Sequence, residues 1–165
     1  MTDTTDGRAR VVADAEARGV KLEIVARPPA ESLDEAARQL GVEPHSIVKT
    51  LVVKRHDGDY LFALVPGDRQ ISWPKLRAVV GVNKLRMPEP TLALEATGFE
   101  RGTITVFGST TAWPVYADAS IVGERIGVGA GDHDHQAFVE ADDVIAAYGA
   151  TVADITEPLS ARGGS

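Results

Sequence analysis

The sequence contains no cysteine, few aromatic residues and no long apolar run. Without cysteine the chain has no disulfide, thiolate nucleophile or zinc–thiolate site, and this fits a cytosolic protein. Aromatic residues make up 5% of the chain, so small and β-branched aliphatic side chains must fill the core. The first ten residues lack the apolar segment of a signal peptide, and no apolar run approaches the length of a bilayer. We therefore expect a cytoplasmic protein that does not insert into membranes.

The remaining composition is typical of one soluble globular domain. Apolar residues account for 44% and charged residues for 25% of the 165 residues, and this length is enough for one domain with its own core. No internal repeat or long linker divides the chain. We expect a single domain over residues 1–159, followed by a disordered tail over residues 160–165.

Apolar periodicity and turn signals predict a mixed secondary structure. Helices are predicted over residues 8–18, 32–40, 72–80, 88–96 and 142–148. Strands are predicted over residues 21–26, 47–55, 60–65, 103–107, 115–117, 126–129 and 136–139, with a strand or extended segment over residues 151–155. Ser32 and Glu35 form a capping-box pattern, and Asp57–Gly58 is a hairpin turn signal. Gly41 and Gly98 are expected to end the helices that precede them. Because strands and helices do not alternate regularly, the fold class is α+β with a mixed, curled sheet and flanking helices.

The charge is distributed unevenly along the chain, whose net charge is −7. Residues 47–87 carry eight Lys/Arg against three Asp/Glu, a net charge of +5, whereas both flanking segments are acidic. This pattern is consistent with ordinary charge scatter or with a local phosphate-facing patch. Such a patch could hold a phosphate-bearing ligand while the acidic remainder discourages tight non-specific binding to nucleic acid.

Lys49 is the most informative single residue, because it interrupts the apolar segment IVKTLVV at residues 47–53. A lysine within a buried strand must either extend its ammonium group to the surface or face a cavity that needs its charge. The residue type alone leaves both interpretations open.

The segment at residues 132–135 reads Asp-His-Asp-His and suggests a metal site by residue type, since imidazole and carboxylate groups bind several divalent ions. Two alternating histidines supply only part of a ligand set, and no distant cluster completes it. A solvated polar turn is the simpler interpretation, so we predict no metal and no cofactor. Neither a Walker loop nor a serine nucleophile elbow is present.

Several short segments together resemble the YbaK/prolyl-tRNA-synthetase-associated domain family, which includes free-standing Cys-tRNA(Pro) and Ala-tRNA(Pro) deacylases. These segments are LGV at 40–42, IVKTLVV at 47–53, LVPGDR at 64–69, TGF at 97–99, GTITVFG at 102–108, PVYADAS at 114–120 and GATVADI at 149–155. Each is a weak signal, but they occur in the family's order over roughly residues 30–156. The resemblance implies the family's fold, with a barrel-like sheet.

The resemblance also assigns site residues. The near-invariant lysine of the family matches Lys49, a frequent aspartate matches Asp118, and one histidine of the loop beside the site matches His133 or His135. The glycine-rich loop, here called the glycine loop, matches Gly102, Thr103, Ile104, Thr105, Val106, Phe107 and Gly108. Val106 stands where the family usually has proline, which predicts a less rigid loop.

The implied function is trans-editing, the hydrolysis of a mischarged amino acid from the terminal ribose of tRNA. Lys49 would be a cation that fixes a phosphate or carbonyl oxygen, while water, a substrate hydroxyl or a substrate thiol attacks. The 3′ end of aminoacyl-tRNA is then the partner, and an aminoacyl-tRNA synthetase is a candidate second partner. Two alternatives remain: a non-catalytic aminoacyl- or tRNA-binding module that retains the pocket, and a metal-dependent hydrolase built on residues 132–135.

Overall fold

The computed structural model describes residues 4–159 of the chain. The expected tail over residues 160–165 and the first three residues of the expected domain therefore lie outside the described residues.

Residues 4–159 form five α-helices and nine β-strands. The helices are α1 (Thr4–Ala17), α2 (Leu33–Leu40), α3 (Trp73–Val80), α4 (Pro90–Thr97) and α5 (Ala141–Tyr148). The strands are β1 (Glu23–Ala26), β2 (Val48–His56), β3 (Asp59–Pro66), β4 (Arg69–Ile71), β5 (Val115–Asp118), β6 (Arg125–Gly129), β7 (His135–Glu140), β8 (Thr151–Ala153) and β9 (Thr156–Pro158). None of these helices has the length and apolarity required to span a bilayer.

The strands form three sheets. The largest has the order β2-β3-β5-β8, with an antiparallel β2–β3 hairpin and parallel pairing of β5 with β3 and β8. A second sheet has the order β1-β7-β6, and β4 pairs with β9. The α+β class is thus confirmed. The pairings among the described residues do not close a ring, so the barrel-like curvature stays a prediction.

The β2–β3 hairpin organises the core because both faces of its sheet are covered. β3 is buried along seven of its eight residues, as the uninterrupted apolar sequence of a central strand requires. Phe62 and Leu64 face the larger core, which includes side chains of α1, α4, α5, β6 and β7. Leu61 and Val65 face a smaller core that is closed by Leu76 of α3.

Local signals place the ends of several elements as expected. Ser32 caps α2, because its hydroxyl oxygen accepts a hydrogen bond from the Glu35 amide at 3.0 Å. In a standard capping box the Glu35 carboxylate would accept a hydrogen bond from the Ser32 amide. Here it accepts one from the amide of the preceding residue, Glu31, at 2.7 Å. Gly41 and Gly98 end α2 and α4 in the left-handed region that glycine adopts without strain.

The predicted strand over residues 103–107 is wrong. These residues form no regular element, although Thr, Ile and Val are typical of strands. Thr105, Val106 and Phe107 are buried all the same, so their apolar character serves packing without strand pairing. Conversely, β4 and β9 were not predicted from the sequence, because each has only three residues and pairs with a strand that is distant in sequence.

Asp118 links the end of β5 to the segment between β8 and β9. One carboxylate oxygen accepts hydrogen bonds from the Ile155 amide at 3.1 Å and the Thr156 hydroxyl at 2.9 Å. The other accepts from the amide and the hydroxyl of Ser120. Burial opposes ionisation of this carboxyl group, but the four hydrogen bonds outweigh it and lower the pKa of Asp118 below its usual value.

We predict that Asp118→Asn lowers the free energy of unfolding by about 2–3 kcal/mol, because an amide cannot accept all of these charge-assisted hydrogen bonds. Since the pKa of Asp118 is depressed in the folded protein, its stabilisation is complete above the pKa of the unfolded chain. It is lost as the pH falls through the folded value, so the difference between variant and wild type should shrink below about pH 4. Urea unfolding across pH measures this.

Asp154→Asn is the matched control, since that carboxylate is 66% exposed in its ion pair with Lys75 and should change stability by less than about 1 kcal/mol. Equal unfolding free energies for Asp118→Asn and Asp154→Asn at neutral pH would contradict the structural role of Asp118.

Candidate functional site

A cleft of about 770 Å³ runs along the outer edge of β2. Its floor is formed by residues 47–52, and its walls come from α2 and the chain before it, residues 87–93, the glycine loop and the ends of β6 and β7. This volume is in the range of small-molecule sites. Because the cleft follows an edge, side chains from both faces of β2 line it.

The edge of β2 is unpaired along the cleft. Among residues 4–159, β2 pairs with β3 on one side, whereas its other side is bridged only near its two ends. Ile47, the residue before β2, is bridged to Gly127, and Lys54 is bridged to Arg86. The Lys54 amide donates to the Arg86 carbonyl at 2.7 Å, so the backbone of Lys54 points away from β3. Because this direction alternates along a strand, the backbone groups of Thr50 and Val52 point into the cleft. No backbone group within residues 4–159 pairs with them.

The side chain of Thr50 is a second unpaired polar group at this edge. Its hydroxyl is buried and has no hydrogen-bond partner among the described residues. A buried polar group without a partner costs about 1–3 kcal/mol unless a ligand or water satisfies it. The Thr50 hydroxyl is therefore a polar group in the cleft that a bound ligand or water can satisfy.

Lys49 lies beside Thr50 and lines the same cleft. Its ammonium group is half-buried and donates a hydrogen bond to the Arg69 carbonyl at 2.8 Å, which leaves further N–H donors for a ligand. Burial lowers the pKa of Lys49 below its usual value, and the negative charge of Asp68 partly opposes this shift. Of the two interpretations open from sequence, the structure places Lys49 at a cavity.

A chain of hydrogen bonds fixes Arg69, whose carbonyl oxygen orients the Lys49 ammonium group. The Arg69 guanidinium donates to the Thr156 hydroxyl at 2.5 Å and to the Thr156 carbonyl at 3.2 Å. Thr156 in turn donates to Asp118. Asp118 does not line the cleft. It supports Lys49 indirectly, through Thr156 and Arg69.

The glycine loop has two parts with different surroundings. Gly102 and Ile104 line the cleft, whereas Thr103, Thr105, Val106 and Phe107 are buried. Gly108 is fixed to α1, because its amide donates to Asp14 at 2.9 Å and its carbonyl accepts from Arg10 at 3.1 Å. Val106 belongs to the larger core, so packing anchors the loop at the position where the family usually has proline.

Gly129 of β6 sets how closely the glycine loop approaches the sheet. A Cβ atom at this position would collide with the Ile104 carbonyl oxygen and would lie 3.0 Å from the Thr103 carbonyl oxygen. Both contacts are with backbone, which cannot move aside as a side chain can. Only glycine therefore allows this placement of the loop.

The two histidines occupy different positions. His135 lines the cleft, and its ring nitrogen Nδ1 lies 2.9 Å from the buried carboxylate of Asp132. Arg8 contacts the same ring, at 2.6 Å from Nε2. His133 is more exposed, does not line the cleft and pairs with Glu100 at 3.2 Å.

Residues 132–135 do not converge into a metal site in this structure. Asp132 and His135 contact each other, whereas His133 pairs with Glu100 and Asp134 is exposed. Across residues 4–159, no group of three or more His, Cys, Asp and Glu side chains is placed to hold a metal ion.

Sequence reasoning missed several residues of the cleft. Thr50 and Gly129 were not singled out, nor was Gln136, which is buried at the cleft and donates to the Val128 carbonyl at 2.8 Å. A polar residue beside Lys49 in an otherwise apolar strand was the available signal for Thr50. The roles of Gly129 and Gln136 depend on packing between distant segments, for which the sequence carries no local signal.

Known proteins show clear similarity to this chain. Residues 27–147 match the family described as "Aminoacyl-tRNA editing domain". The proline–tRNA ligase of Thermosipho melanesiensis is 37% identical over 99 residues, covering 60% of this chain and 17% of the ligase. That of Nitratidesulfovibrio vulgaris is 30% identical over 128 residues, covering 75% and 22%. The chain thus spans about a fifth of the length of these relatives.

A solved structure agrees with these matches. It was described provisionally as a trans-editing enzyme for prolyl tRNA synthetase. It superposes with a TM-score of 0.83 at 30% identity, covering 95% of this chain and 99% of that one. The resemblance to YbaK/prolyl-tRNA-synthetase-associated domains is therefore confirmed. Since the family match extends over most of the sequence, this chain belongs to the aminoacyl-tRNA editing domain family.

Proposed function

We propose that this chain is a trans-editing hydrolase that removes a mischarged amino acid from the terminal ribose of tRNA. The observation that carries the proposal is the position of Lys49, a half-buried cation beside the unpaired edge of β2. Membership of the editing family supports an aminoacyl-tRNA substrate. The cleft volume of about 770 Å³ is compatible with an aminoacyl group together with the terminal adenosine.

The proposed chemistry uses no protein nucleophile. Water adds to the ester carbonyl carbon, and the bond from that carbon to the ribose oxygen breaks. The departing ribose oxygen takes a proton from the water and becomes a hydroxyl, and the amino acid leaves as a carboxylate. Negative charge develops on the carbonyl oxygen during this addition. In this proposal, the remaining N–H donors of Lys49 and the free amides of the β2 edge would stabilise that charge without large rearrangement.

The glycine loop would hold the other side of the substrate. Gly102 and Ile104 face Lys49 across the cleft in our proposal, and their backbone groups would place the terminal adenosine. His135 would bind the substrate from the end of β7, with its ring oriented by Asp132. In this proposal Asp118 acts on Lys49 only through Thr156 and Arg69, so we leave it out of the substrate contacts.

The substrate class we propose is Cys-tRNA(Pro) or Ala-tRNA(Pro). Two relatives are proline–tRNA ligases and one structural neighbour carries a provisional prolyl trans-editing description. An editing protein would act where aminoacyl-tRNA is made, in the cytoplasm, and a synthetase that releases mischarged tRNA would be its second partner.

We predict that Lys49→Ala lowers kcat for deacylation by about 10²–10³-fold, the loss typical of removing one oxyanion-stabilising donor. Release of amino acid from a panel of mischarged tRNAs measures this, with circular dichroism to verify the fold. Lys21→Ala is the matched control, because Lys21 is exposed and lies outside the cleft.

Wild-type turnover on at least one mischarged tRNA, together with loss in Lys49→Ala only, would support the proposal. If the folded Lys49→Ala protein turns over at the wild-type rate, the role of Lys49 is wrong. If the wild type binds tRNA and is inert across the whole panel, the chain is a binding module instead of a hydrolase.

We predict that Gly129→Ala reduces kcat/KM by up to about 10²-fold, since the added methyl group displaces the glycine loop and small misplacements near reacting groups have effects of this size. Gly127→Ala on the same strand is the control. A Cβ there would meet only side-chain atoms, Phe138 Cε1 at 3.1 Å and Ile47 Cδ1 at 3.2 Å, which can shift. Equal kcat/KM for the two variants would refute the requirement for close approach at Gly129.

A further inference from the structure

A second pocket lies at the C-terminal end of β2 and is lined by many basic side chains. Its volume is about 550 Å³. We call it the basic pocket and define it by the cations that line it, Lys54, Arg55, Arg77, Lys84 and Arg86. These are five of the 17 Lys and Arg residues in a chain whose net charge is −7. Such a concentration of positive charge on an acidic protein creates a local attraction for a polyanion.

Acidic side chains compensate the basic pocket only in part. Asp57 also lines the basic pocket, and its negative charge partly offsets the charges of Lys54 and Arg86. Lys54 pairs with Asp57 at 3.0 Å, and Arg55 lies 3.6 Å from Asp59. Arg77, Lys84 and Arg86 form no ion pair with any acidic side chain in the part of the chain that the structure describes. Lys84 and Arg86 are exposed. Their charges are therefore available to a ligand.

The basic pocket adjoins the cleft through two continuous segments. Along β2, Val52 lines the cleft and Lys54 lines the basic pocket. In the segment bridged to it, Arg86 lines the basic pocket, whereas Met87 and Pro88 line the cleft. Lys54 is five residues from Lys49, a distance of about 17 Å at the rise of an extended strand.

We propose that the basic pocket binds the phosphate backbone of the tRNA acceptor stem while the 3′-terminal ester lies in the cleft. This inference rests on the proposed function, because it takes the cleft as the site of the ester. Stacked nucleotides rise about 3.4 Å each, so ~17 Å corresponds to roughly five nucleotides. A point about five nucleotides from the 3′ end lies beyond the single-stranded end of tRNA, in the first base pairs of the acceptor stem.

The proposed contacts are electrostatic and do not read the sequence of the stem. Lysine and arginine side chains that neutralise phosphates release counterions, so affinity should fall steeply as salt rises. The single-stranded 3′ end offers few phosphates to these side chains. The double-stranded stem presents the denser charge that several exposed cations can engage together.

Binding of uncharged tRNA tests the proposal without depending on hydrolysis. We expect Lys84→Glu/Arg86→Glu to weaken binding at least tenfold at low salt, and to reduce the slope of log K against log salt by about 2. Fluorescence anisotropy with labelled tRNA at several salt concentrations measures both. Lys21→Glu/Arg38→Glu makes the same charge change at exposed residues outside the cleft and the basic pocket. This control should retain the wild-type affinity and salt dependence.

A second measurement separates the basic pocket from the cleft. In Lys84→Glu/Arg86→Glu, kcat/KM should fall at least tenfold more on mischarged tRNA than on the same aminoacyl ester of a CCA trinucleotide, which has no stem. Equal losses on the two substrates would overturn the proposal, as would unchanged binding of uncharged tRNA. If the wild type hydrolyses neither ester and the double variant still loses tRNA binding, the basic pocket is supported and the proposed hydrolysis fails.

Discussion

The unpaired edge of β2 is the constraint on which the candidate site depends. Edge strands usually carry devices that prevent pairing with another chain. Here the two ends of the edge are bridged, at Ile47 and at Lys54, and the glycine loop and α2 enclose the stretch between them. The result is a short run of free backbone donors and acceptors inside a cleft. A bound ligand can satisfy these groups by hydrogen bonding to the backbone of β2.

The rest of the fold holds the floor of this cleft and its glycine-loop wall in place. Behind Lys49, the chain of hydrogen bonds from Asp118 through Thr156 fixes Arg69, whose carbonyl orients the ammonium group. Behind the glycine loop, Arg10 and Asp14 of α1 bind Gly108. Both parts of the cleft are thereby supported by side chains that do not themselves line it. In the proposed hydrolysis, charge stabilisation by such a fixed arrangement would cost little reorganisation.

Local sequence signals predicted the elements well and the site only in part. The hairpin at Asp57–Gly58, the cap at Ser32 and the helix ends at Gly41 and Gly98 all depend on residues within a few positions of each other. The glycine loop was misassigned as a strand because β-branched residues pack into a core as readily as they pair. Family resemblance supplied Lys49, Gly102, Ile104 and His135, which the structure brings around one cleft.

Other features of the site depend on strand order, which the sequence does not express locally. Thr50 faces the cleft only because β2 lies at the edge of its sheet, where none of the described strands pairs with it. Asp118 matched a family position, yet its role as a support for Lys49 required the contact with β9. The same holds for the basic pocket, since the net charge of residues 47–87 indicates a patch but does not locate it beside the cleft.

The most direct measurement is a crystal structure with an analogue of the substrate end, 3′-alanylamino-3′-deoxyadenosine, in which a stable amide replaces the ester. The account predicts that the amide carbonyl oxygen lies about 3 Å from Lys49 Nζ, with the adenosine against Gly102 and Ile104 and the free backbone groups of Thr50 and Val52 bonded to the ligand. An analogue bound outside the cleft, or bound within it with its carbonyl directed away from Lys49, would contradict the account.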